Sequence, residues 1–79
     1  MNEIEVFDHD EWQFLCIAEE LPLGVYQAVV RCRFEPDGSI RTLTWGSELH
    51  PSGWQALARA KELAVEWAYR HRRSDYAFV

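Results

Sequence analysis

The sequence predicts an α+β fold: a three-stranded antiparallel β-meander with one long C-terminal α-helix packed on one face. Three observations carry this. Residues 26–45, YQAVVRCRFEPDGSIRTLTW, hold two alternating runs on either side of Glu35-Pro36-Asp37-Gly38. Proline presets φ at the first turn corner, aspartate tolerates the second, and glycine takes positive φ, so the pattern is a hairpin. A second turn, Leu21-Pro22-Leu23-Gly24, separates this hairpin from the aromatic-rich run WQFLCIAEE. Beyond Pro51, apolar residues recur every three or four positions, the period of a helix with one buried face.

In chain order, residues 1–11 are acidic, with isolated Ile4, Val6 and Phe7. They read as a loose arm, with an edge strand over Glu3–Phe7 as the alternative. Residues 12–20 are too short a run for a helix and read as the first strand. Val25–Phe34 and Ser39–Trp45 are the second and third, so the meander spans 12–45, and Gly46-Ser47 ends it. The helix is expected over 52–73. Ser52 with Gln55 forms a capping-box pattern. Ala56, Leu57, Ala60, Leu63, Ala64 and Trp67 form the buried face, and Arg70-His71-Arg72-Arg73 stand where the helix dipole favours cations. The apolar tail, 74–79, is expected to dock back on the body. The 79 residues make a single domain.

A chain this short buries only about 60% of its unfolded surface. Its four Trp, four Phe and three Tyr offset that, since each large ring can bury about 150–250 Å². No C-x-x-C motif is present, which excludes a zinc ribbon or a thioredoxin-type site. The acidic N-terminal stretch does not read as a signal peptide, and no apolar run has the length of a membrane span. A cytoplasmic protein with reduced Cys16 and Cys32 is expected. A Cys16–Cys32 bridge requires a particular strand register.

Charge is segregated. Residues 1–30 carry seven acids and no Lys or Arg, whereas 31–79 carry eight basic and six acidic groups. The net charge of −5 argues against bulk polyanion binding but leaves room for a local basic face.

With a three-residue Pro36-Asp37-Gly38 loop, Phe34 pairs with Ile40, Cys32 with Thr42 and Val30 with Thr44. This is the face expected under the helix, together with Tyr26 and Ala28. The open face then holds Arg33 opposite Arg41, Arg31 opposite Leu43 and Val29 opposite Trp45. The first strand adds either Leu15 and Ile17 or Phe14 and Cys16. One helix covers one side of a sheet, so Val29, Leu43 and Trp45 with Arg31, Arg33 and Arg41 are the candidate interface.

Other candidates carry less chemistry. Asp8-His9-Asp10-Glu11 alternates across a strand and cannot converge on one ion, so no metal is expected. His50 and His71 lie at opposite helix ends. Cys16 and Cys32 fall in core strands without an activating base. Ser52 is occupied as a cap. No cofactor is expected, and no enzyme, because no acid–base pair shares a cleft.

A tryptophan-led strand, Leu-Pro-x-Gly, Tyr-x-Ala-x-Val, Pro-Asp-Gly and an Ala-rich helix follow one another over residues 12–71. In this the chain resembles short bacterial proteins of unknown function built as a β-meander followed by one helix. The resemblance implies the fold and carries over no activity or site residue. The expected function is a small interaction module that forms a homodimer or binds another protein through the open sheet face. Nucleic-acid binding through the strand arginines is the alternative.

Overall fold

The computed structural model describes residues 1–34 and 36–71. A four-stranded antiparallel sheet runs in the order β1-β2-β3-β4, with β1 at Glu3–His9, β2 at Trp12–Leu21, β3 at Val25–Phe34 and β4 at Ser39–His50. One helix, α1 at Gly53–Arg70, crosses one side. The α+β class and the meander order agree with the sequence. The strand count does not, because residues 3–9 are a paired edge strand rather than a loose arm.

The β1–β2 connection explains the difference. His9 pairs with Trp12, so the turn is Asp10-Glu11, and both residues have positive φ, 50° and 67°. That is the backbone of a type I′ hairpin, whose usual signature is Asn-Gly or Asp-Gly. Glutamate at the second corner hides the turn from a sequence reading. The next hairpin closes Leu21 on Val25 through Pro22-Leu23-Gly24, where Leu23 and Gly24 both lie near φ +74°.

In the third hairpin Phe34 pairs with Ser39, and the amide of Gly38 donates to the carbonyl of Phe34 at 2.9 Å. The loop is one residue longer than expected, so Arg33 meets Ile40 and Cys32 meets Arg41. A register shift between Val30 and Arg31 then restores the expected pairs Val30–Thr44 and Val29–Trp45. A second shift lies between Gln27 and Val29, and pairing continues to Tyr26–His50. Gly46-Ser47 therefore bends β4 without ending it. Asp37 accepts the Ser39 amide at 3.0 Å, and this bond holds its carboxyl below the usual range.

The core lies between α1 and the side of the sheet carrying Phe14, Cys16, Ala28 and Val30. The helix contributes Ala56, Ala60, Leu63, Ala64, Trp67 and Ala68, all buried, with Leu57 half-buried against them. Trp67 meets Trp12 edge-on at 5.0 Å and Phe14 at 6.0 Å. Its other side stacks on His71 at 4.1 Å.

The expected capping box takes a different form. Ser52 occupies the N-cap position but makes no side-chain cap bond. Its hydroxyl donates to Gln55 Oε1 at 3.0 Å. The carboxylate of Glu3 lies against Gly53 instead, where a Cβ would collide with it. An acidic group there suits the positive end of the helix dipole. The predicted docking of the tail, 74–79, and helix residues 72–73 fall outside the described residues.

Candidate interaction face

The side of the sheet away from α1 is built by cross-strand rows. Directly opposed residues share a face, as do residues two apart along a strand. Phe14, Cys16, Val30 and Cys32 point to the helix, so Leu15, Ile17, Val29 and Arg31 point away. One row reads Ile4–Ile17–Val29–Trp45 across all four strands. It forms an apolar belt: Ile17 and Val29 are 6% exposed at its centre, while Ile4 at 65% and Trp45 at 61% project at its ends. The neighbouring row is Val6–Leu15–Arg31–Thr42, and beyond it stand the pairs Asp8–Gln13 and Arg33–Ile40. On the other flank stand Glu19, Gln27 and Leu49.

A hollow of about 200 Å³ opens in this face between Glu19, Gln27, Val29, Arg31, Thr42 and Trp45. Gln27 closes one wall by donating its Nε2 to the Gly46 carbonyl at 3.0 Å. The Nε of Arg31 has no hydrogen-bond partner among the described residues. The hollow thus combines an apolar floor, an indole wall, a carboxylate and a guanidinium with unused donor capacity. It suits a polar or charged side chain that arrives with apolar neighbours.

Four of the six predicted interface residues, Val29, Trp45, Arg31 and Arg33, share this face. Leu43 and Arg41 do not. The register shift turns Leu43 inward, where it packs against the core. Arg41 pairs with Cys32 and sits over the Phe34 ring at 5.5 Å, a cation–π contact on the helix side. Of the two possibilities for β2, the outward pair is Leu15 and Ile17. The sequence reading left out Ile4, Val6, Glu19 and Gln27. The alternation Glu3-Ile4-Glu5-Val6 was the available signal for the first two.

The other chemical candidates stay apart. Cys16 pairs with Val30 and Cys32 with Phe14, so the thiols are diagonal neighbours, and both are free. Burial pushes both up, Cys16 to about 11, and a protonated thiol is a poor nucleophile. His9 approaches Asp10 at 3.6 Å and stacks on Phe7. Among the described residues no group of His, Cys, Asp and Glu is placed to hold a metal ion, and no helix is long and apolar enough to cross a membrane.

No family model, curated protein or solved structure matches the chain.

Proposed function

We propose that this protein is a small non-enzymatic interaction module that pairs with a second copy of itself through the open sheet face. The observation that carries the reading is the apolar row Ile4–Ile17–Val29–Trp45, which crosses every strand on the side the helix leaves uncovered. Large apolar side chains projecting from an uncovered face, as Ile4 and Trp45 do at the two ends of this row, often mark an interface.

Charge favours a second copy as the occupant. Glu19 lies on one flank of the belt and Arg31 on the other. A two-fold axis running along the belt lays each Glu19 beside the Arg31 of the other copy and each Trp45 against its mate. Such an isologous contact is self-complementary. With strands about 4.8 Å apart and about 3.3 Å per residue, the face offers on the order of 500 Å² per copy. That is the low end for a specific interface, so the association is concentration-dependent.

Polyanion binding loses support. Arg41 faces away from Arg31 and Arg33, and Asp8 and Glu19 share their side of the sheet. The two buried, free thiols fit a reducing, cytoplasmic setting. A bacterial source, suggested by the resemblance over 12–71, belongs to the same proposal.

Sedimentation equilibrium over a concentration series tests the reading. Wild type should approach twice the chain mass. Trp45→Arg should give a monomer with an unchanged circular dichroism spectrum, because Trp45 is already largely exposed. Glu19→Arg and Arg31→Glu should each weaken pairing, and the double swap should restore it. A wild-type monomer at all concentrations would sink the proposal, as would single swaps with no effect.

A further inference from the structure

A different surface, the outer edge of β1, also has no strand beside it among the described residues. In a sheet ordered β1-β2-β3-β4, one side of β1 has no neighbouring strand, so alternate N–H and C=O groups along Glu3–His9 point outward. Such an edge is a template for another strand. The two edges of this sheet are unequal. β4 is interrupted by two register shifts, which bend and twist an edge away from further pairing. β1 keeps an unbroken register through seven pairs with β2 and contains no proline or glycine.

The side chains of β1 specify what fits. Glu3 and Glu5 lie on the helix side, and Ile4 and Val6 on the open side. Lys61 bonds Glu5 from one direction, yet the Glu5 side chain remains 47% exposed and can take a second cation. Asp8, Asp10 and Glu11 continue the negative charge to the hairpin, and no Lys or Arg occurs in residues 1–30. A second β1 carries the same net negative charge from Glu3, Glu5 and Asp8 with no Lys or Arg to offset it, so it is the less favourable occupant.

We propose that the β1 edge docks an extended segment of another protein in which basic and apolar residues alternate. The basic side chains lie beside Glu3 and Glu5. The apolar ones lie beside Ile4 and Val6 and lengthen the belt of the open face by one strand. Main-chain hydrogen bonds supply affinity and the alternation supplies register, as in strand addition generally.

Fluorescence anisotropy with labelled peptides on the full chain tests this. A peptide of alternating Lys and Val should bind, and should bind less well as salt is raised. Alternating Glu and Val should not bind. The same Lys and Val residues in two blocks should bind about tenfold more weakly or worse, because no register satisfies both sides. The deciding probe is N-methylation of every second residue. In one frame it removes the donors that face β1 and should weaken binding by about tenfold or more, whereas in the other frame binding should persist. Equal binding in both frames would reduce the contact to charge alone and overturn the proposal. Absence of binding by the unmodified peptide would do so too.

Discussion

Cys16 is fully buried beneath α1, and its thiol is pushed up from 9.0 to about 11, chiefly by burial. Nearby Lys61 opposes that shift and Glu5 adds to it. In the unfolded chain the thiol ionises near 9, whereas the folded chain holds the proton to about 11. Between those values the native state binds more protons, so this contribution to stability is complete below about pH 9. It is lost as pH rises through about 11. Urea melts of wild type and Cys16→Ala across this window should show a steeper decline for wild type. Parallel declines would mean that other groups set the alkaline limit. Leu23 presents a conformational problem instead. It holds φ +74° while 99% exposed, so its side chain gains no burial for the left-handed backbone. Leu23→Gly should raise stability by about 0.5–1 kcal/mol, the relief of that backbone less the added freedom of the unfolded chain. A lower melting temperature would show that Leu23 is held by contacts worth more than the strain.

Among the elements, α1 is defined by alanines at every fourth position: Ala56, Ala60, Ala64 and Ala68, all 0% exposed. Four small side chains in a line let the helix lie close on Cys16, Ala28 and Val30, with Leu63 and Trp67 filling the flanks. Ala64→Leu has no space to enter and should cost about 1–3 kcal/mol. Ala58→Leu, on the exposed side of the same helix, should stay within about 0.5 kcal/mol. Chemical denaturation of the pair separates overpacking from any general effect of leucine. The helix was legible because its periodicity is strong and Pro51-Ser52 marks its start. β1 was not, since Asp10-Glu11 gives no turn signature and the run before it is mostly charged. The bulges of β4 were equally silent. No composition announces them, yet the one beside Leu43 decides which way that side chain points. The turns at Pro22-Leu23-Gly24 and Pro36-Asp37-Gly38 were legible because proline and glycine act locally. The residue count of the second loop depended on pairing that the local sequence does not encode.

For the molecule as a whole, the segregation of charge becomes spatial. The acids of residues 1–30 all lie on β1, β2 and the turn joining them, toward one margin of the sheet, while Arg31, Arg33 and Arg41 stand on β3 and β4 toward the other. The central part of the candidate face, Val29 and Trp45, could be read from the chain because β4 returns to the simple register at Thr44 and Trp45, between its two shifts. Its outer parts could not, because they depend on a fourth strand and on a one-residue loop difference that exchanged Arg41 and Thr42 between faces. The proposed pairing of copies uses the open face, and the proposed strand docking uses the main-chain edge of β1. A substitution at Trp45 and one at Glu5 should act independently.

The strand order has a kinetic consequence. Every strand pairs only with its neighbours in sequence, through connections of two, three and four residues, and no pairing waits for a distant segment. Closing short loops costs little chain entropy, so the sheet can assemble by zipping outward from any hairpin. The helix then seals the side carrying Phe14 and Val30. Sheet formation of this kind needs no long loop to close first.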